Sequence, residues 1–141
     1  MRRLRPEALE DLGLQSALAA LATAIGEQAR LRIERRLEPR LPLSQEQELV
    51  VYRIAQEALT NVARHAHAAQ VHLHLERADE HVVLTVRDDG RGLPPDAFRS
   101  SEGIRGMRER AMLIGSQLTI AEPLSGGTEV RLFIPLEPRN E

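Results

Sequence analysis

The sequence predicts a two-layer α/β sandwich, a mixed β-sheet covered on one face by helices. Two observations predict it. Apolar residues recur at three and four in two segments, and at every second position in three others. The alternating segments are joined as hairpins in two places, whereas a doubly wound parallel sheet needs a helix between nearly every strand pair.

Residues 1–13 are charged and broken by Pro6 and Gly13, and read as a connector with one helical turn. Leu14, Ala17, Leu18, Leu21, Ala24 and Ile25 then mark a helix to about Gln28. Leu31, Ile33 and Leu37 alternate with arginine and glutamate, predicting a half-buried strand over 30–38 that Pro39 and Pro42 close. Ser44, with Gln47 three residues on, signals the N-cap of a second helix running to His65. Its core face is Val51, Ile54, Ala55, Ala58, Leu59 and Val62.

Two strands follow, one through Val71, Leu73 and Leu75, the other through Val82, Leu84 and Val86, with Asp79 and Glu80 as their turn. Asp88 to Ser101 reads as a loop rich in Gly, Pro, Asp and Ser, long enough to serve as a lid. A third helix occupies 104–114 and ends at Gly115. Leu118–Ala121 and Thr128–Pro135 form a final hairpin.

A chain of 141 residues holds one domain with a real core. Its net charge of −2 carries no basic or acidic half, so neither nucleic acid nor an anionic membrane is indicated as a partner. The absence of cysteine removes disulfides and thiolate metal sites and fits a reducing compartment. No apolar run approaches the roughly 20 residues that cross a bilayer.

Four features carry chemistry. On the second helix Glu57, Asn61 and His65 are spaced by four, which stacks a carboxylate, an amide and an imidazole opposite the apolar stripe. Oxygen groups of this kind suit magnesium, which prefers oxygen and keeps several waters; the same spacing also describes a solvated face. Asp88-Asp-Gly90-Arg-Gly92 ends an apolar strand; the aspartate can accept from an amino group such as that of adenine, and the glycines admit a ligand close to the backbone. The plain alternative is an Asp-Gly turn. Gly103 and Gly106 open the third helix, where free N–H groups attract phosphate. Ser125 to Thr128 is a hairpin turn whose hydroxyls reach a base near Asp88 only if the fold joins the two. His72 and His74 share a strand face and could chelate a metal, with no third ligand evident in the sequence, and a solvated face is the simpler reading.

Taken in order, these features resemble the GHKL ATP-binding (Bergerat) fold of histidine kinases, gyrase-type ATPases, Hsp90 and MutL. The stretch from Tyr52 to Ala66 looks like its N box, Asp88–Gly92 its G1 box, Gly103–Gly106 its G2 box, and Gly126–Thr128 its final adenine-side motif. Residues 64–68 (RHAHA), 106–111 (GMRERA) and 4–14 further resemble sensor kinases of the nitrate and sugar-phosphate type that are paired with LuxR-type response regulators.

The resemblance implies a cytoplasmic ATP-binding catalytic domain over 14–138, a link from absent dimerisation helices over 1–13, a tail at 139–141, and a parent kinase associated with the membrane. It implies ATP and Mg2+ as ligands. Asn61 would coordinate the metal, Glu57 would act catalytically by orienting its shell or a water, and His65 would lie near the phosphates. Asp88 would bind the adenine amino group with support from Thr128. Gly90 and Gly92 would admit the base, and Gly103 and Gly106 would hold the phosphate side.

The family's acceptor histidine lies on a dimerisation helix, whereas the five histidines here lie in the N-box region and the strands after it. The expectation is therefore a catalytic fragment, mostly monomeric, that does not autophosphorylate alone. Before Gly103 stands Ser-Glu, where relatives often carry His and an aromatic or Leu. Two other readings stay open: a serine kinase of the anti-sigma-factor type, and a non-catalytic nucleotide-binding docking module.

Overall fold

The computed structural model describes residues 6–66, 70–90, 102–124 and 126–136, without the side chains of residues 65, 66 and 102. Its elements are α1 (Glu7–Leu12), α2 (Leu14–Ala29), β1 (Arg32–Leu37), α3 (Gln45–Asn61), a π-helical turn (Val62–Ala66), β2 (Gln70–Ala78) and β3 (His81–Asp88). They are followed by α4 (Glu102–Leu113), β4 (Gln117–Ala121) and β5 (Glu129–Pro135). The five strands form one sheet in the order β1-β2-β3-β5-β4. β1 pairs with β2 in parallel, with α3 in the crossover that a parallel pair requires, and every other pair is antiparallel. The expected mixed sheet and helical layer are both present.

Strict alternation on the strands decides which face is covered. Val71, Leu73 and Leu75 of β2, Val82, Leu84 and Val86 of β3, and Val130, Leu132 and Ile134 of β5 are buried under the helices. They meet Leu14, Ala17 and Leu18 of α2, Val51, Ile54, Ala55 and Leu59 of α3, and Ile104, Met107 and Ala111 of α4. The intervening residues His72, His74, Glu76, Thr85, Arg87, Glu129 and Arg131 line an open polar groove on the other face. Asp88 continues the inward-facing row of β3, so the last side chain of an apolar strand face is a carboxylate.

Three local features differ from what the sequence suggested. The N-terminal connector contributes to the core, since Leu9 of α1 is buried beside Leu14. The second helix leaves α-helical geometry at Asn61 rather than continuing to His65. The N–H of Val62 is shared between the carbonyls of Ala58 and Leu59, and a wider π turn follows. The row spaced by four therefore holds for Glu57 and Asn61, and the register that would carry His65 with them ends there. Arg35, read from the sequence only as a polar position, points into the helical layer. Its guanidinium donates to the Ala19 carbonyl at 2.7 Å and to the Thr23 hydroxyl at 2.8 Å, tying β1 to α2.

The start of α3 matches the expected capping box. The Gln47 N–H donates to Ser44 Oγ at 3.1 Å, and the Ser44 N–H donates to Gln47 Oε1 at 2.9 Å. Because α3 carries residues of the site at its far end, its alignment matters to function as well as stability. Ser44→Ala is expected to lower stability by about 1 kcal/mol in urea unfolding, with no change in the slope of the transition.

Candidate functional site

The sheet order brings together two motifs that are far apart in sequence. β5 inserts between β3 and β4, and Arg87 pairs with Glu129, so the end of β3 lies against the start of β5. There the Asp88 N–H donates to the Thr128 carbonyl at 3.0 Å. Gly127 makes this approach possible. It adopts φ of +83°, and a Cβ at that position would collide with the Asp88 carbonyl oxygen. The glycine is thus required twice, by its backbone angle and by the space it leaves.

Asp88 and Thr128 form the polar floor of an apolar slot between the sheet and the last two helices. The slot is narrow, and its walls are Ala58, Val62, Val86, Ile104, Met107, Ile120 and Val130, with Asn61 at the rim. One carboxylate oxygen of Asp88 accepts from the Gly90 N–H at 2.8 Å. The other, Oδ2, and the Thr128 hydroxyl are both buried without a hydrogen-bond partner among the described residues. An unsatisfied buried polar group costs about 1–3 kcal/mol. Two such groups on the floor of an otherwise apolar slot can be satisfied by a ligand that carries a hydrogen-bond donor on an apolar body.

Beyond Asn61 the surroundings become polar. Glu57, Thr60, Asn61, Gly103 and Gly106 line a recess between α3 and α4, with Arg53, Arg64 and Arg110 around it. Among the described lining residues three guanidiniums stand against one carboxylate, a balance suited to a polyanion. Gly103 lets α4 come down onto α3, since a Cβ there would lie 2.5 Å from Glu57 Oε2. At Gly106 a Cβ would meet no atom of the described residues within 4 Å.

Of the residues singled out from the sequence, Glu57, Asn61, Gly103 and Gly106 come together at the recess, and Asp88 and Thr128 at the slot. Gly90 belongs to the Asp88 turn. His65 falls in the π turn, and its side chain lies outside the described residues, as do Gly92 and the expected lid from residue 91 to 101. The sequence reading omitted Gly127 as a site residue, although its motif was noted, and it missed Arg53, Gln56, Thr60 and Arg64. Extending the row of four backwards from Glu57 reaches Arg53, a signal that was available.

A sequence model of the histidine kinase-, DNA gyrase B- and HSP90-like ATPases matches residues 46–138. The chain belongs to this family. Among curated relatives of this ATPase domain, the signal transduction histidine-protein kinase/phosphatase UhpB of Salmonella typhimurium is 38% identical over 136 residues. The sensor protein VraS of Staphylococcus saprophyticus is 30% identical over 135. Each comparison covers 94% of this chain, which spans 27% of UhpB and 38% of VraS. The histidine kinase domain of the Erythrobacter litoralis EL346 blue-light activated histidine kinase superposes with a TM-score of 0.75 at 26% identity, covering 87% of this chain and 61% of that one. The fold alone is shared with ShkA, solved in complex with AMPPNP, at a TM-score of 0.71 and 20% identity. No described helix is long and apolar enough to cross a membrane.

Within this ATPase fold the state of Asp88 has a thermodynamic signature. Burial raises its pKa above the ordinary 3.8. The backbone hydrogen bonds of Gly90 and Thr128 oppose that shift, and the nearby Asp89 charge adds to it. An acid whose folded pKa is raised binds more protons folded than unfolded. Stability therefore falls as pH rises from the ordinary carboxylate value through the folded one, and the loss persists at neutral pH.

Asp88→Asn removes the charge. It is expected to be more stable than the parent by about 1 kcal/mol at pH 7, an advantage that disappears below the ordinary aspartate pKa; thermal melts across pH measure it. Gly127→Ala is expected to lose stability by more than about 1 kcal/mol in the same melts, because it strains the join between β3 and β5.

Proposed function

We propose that this chain positions Mg-ATP for phosphoryl transfer to a histidine on the dimerisation helices of a longer sensor kinase. A response regulator then receives the group. The observation that carries the reading is the unsatisfied pair, Asp88 Oδ2 and Thr128 Oγ1, on the floor of an apolar slot that opens into a cationic recess. The likeness to UhpB and VraS supports a sensor kinase as the parent. The GMRERA and RHAHA stretches, together with UhpB, support a regulator of the LuxR type. The parent is membrane-associated with this part in the cytoplasm, and the isolated chain is a monomer.

In this mechanism Asp88 accepts a hydrogen bond from the adenine amino group, and Thr128 adds a second polar contact. Gly90, with Gly92 beyond it in sequence, lets the base approach the backbone. Val62, Met107 and Ile120 exclude water from the base and so strengthen those polar contacts. Magnesium fits the side-chain oxygens of Asn61 and Glu57, and when bound it neutralises phosphate charge. Asn61 would hold the metal directly, and Glu57 would orient its shell or a water in it. Gly103, Gly106, Arg53, Arg110 and His65 hold the phosphate side. The acceptor comes from outside the site, so these residues contribute positioning and charge complementarity rather than a nucleophile.

Calorimetric titration of Mg-ATP tests the site. The parent chain is expected to bind one nucleotide saturably, and Asp88→Asn to bind roughly 100-fold more weakly, the factor that corresponds to about 3 kcal/mol. Radiolabelled ATP with the dimerisation helices of a UhpB-like kinase supplied in trans tests the transfer. An acid-labile phosphohistidine is expected. Acid-stable phosphoserine on an anti-anti-sigma partner would replace this reading with a serine kinase, and nucleotide binding without transfer to either would leave a docking module.

A further inference from the structure

The open face of the sheet carries a second cluster that nucleotide binding does not use. His72 and His74 project from β2 on the side away from the helices. The parallel register sets Glu34 of β1 directly beside His72, on the same face. The Glu34 carboxylate reaches both rings, with Oε2 3.2 Å from His72 Nδ1 and Oε1 3.5 Å from His74 Nε2. One ligand atom from each of the three residues lies within 4.8 Å of the other two.

Ordinary hydrogen bonding does not account for the arrangement. His74 Nε2 is buried and has no hydrogen-bond partner among the described residues. Its 3.5 Å contact with Glu34 is within ion-pair reach but lacks hydrogen-bond geometry. A buried ring nitrogen beside a carboxylate that a second imidazole also faces has a lone pair that a metal cation can take. The distances suit a metal ion. Zinc about 2.0–2.1 Å from each of its tetrahedral ligands holds those ligands about 3.3 Å apart. The Glu34 carboxylate is already that close to each ring, through one oxygen apiece, and the three ligand atoms taken one per residue lie within 4.8 Å of one another.

We propose that Glu34, His72 and His74 form a binding site for a divalent transition metal of the zinc class, with solvent completing the coordination. The donor set separates this ion from magnesium. Two imidazoles and one carboxylate favour zinc, cobalt, nickel or copper, whereas magnesium selects oxygen. Position separates it as well, since the nucleotide slot opens on the helical face. β1 is the edge strand of the sheet, so the ion pins the edge to its neighbour, and its binding energy adds to folded-state stability.

The test is calorimetric titration of zinc into the nucleotide-free chain with magnesium in excess, paired with cobalt as a spectroscopic probe. The parent chain is expected to take up one zinc at this site, to melt at higher temperature with zinc than without, and to show the visible absorption of tetrahedral cobalt. Glu34→Gln and His74→Gln are each expected to weaken zinc binding by more than about tenfold and to abolish the cobalt spectrum, since even outer-shell changes cost 10–100-fold. His81→Gln, a histidine on β3 outside the cluster, is expected to keep both. Far-ultraviolet circular dichroism checks that each variant is folded. Failure of the parent chain to bind zinc overturns the proposal. So does zinc binding of unchanged strength in folded Glu34→Gln and His74→Gln, because the ion would then be held elsewhere, as by His65 or His67.

Discussion

The join between β3 and β5 governs the rest of the molecule. Through it the backbone N–H of Asp88 meets the carbonyl of Thr128, and a glycine at 127 is what allows the two chains to approach. Widening that join would separate the two polar groups on the floor of the slot and lift Val130 and Ile120 from its wall. It would also remove β4, which reaches the sheet only by pairing with β5. The binding surface is therefore not an appendage on a finished fold. The contact that completes the sheet also completes the slot.

The molecule holds a tension at this point. Most of the interior is apolar, yet the inward row of β3 ends in a buried carboxylate with one oxygen that has no partner among the described residues. The backbone donors at Gly90 and Thr128 offset part of the desolvation, and the remainder is unfavourable until a donor enters. A site of this kind discriminates by what it lacks. A ligand that presents an amine relieves the cost, and one that presents a carbonyl at the same position adds to it.

Most elements were legible in the sequence because their periodicities are clean. The alternation of Val71, Leu73 and Leu75 with two histidines fixes both the strand and its buried face, and Ser44 with Gln47 marks the start of α3. The motifs at Asp88 and Thr128 were separately visible as well. Their adjacency was not legible from spacing, because it depends on β5 inserting between β3 and β4, and only the resemblance supplied it. The same limit hid Glu34, which lies on the far side of α3 in sequence and meets His72 only through the parallel register. The end of α3 was misjudged for a different reason: apolar and polar spacing continue past Asn61 while the hydrogen-bonding pattern changes there.

The strand order also sets a sequence of events during synthesis. The hairpin of β2 with β3 closes locally, and its two-residue turn needs only Asp79 in a left-handed conformation. The floor of the slot needs residues 126–130, which leave the ribosome after almost everything else described. A nascent chain can therefore carry both large helices and three strands while lacking the floor of the slot. The join between β3 and β5, and the slot that depends on it, therefore assemble last.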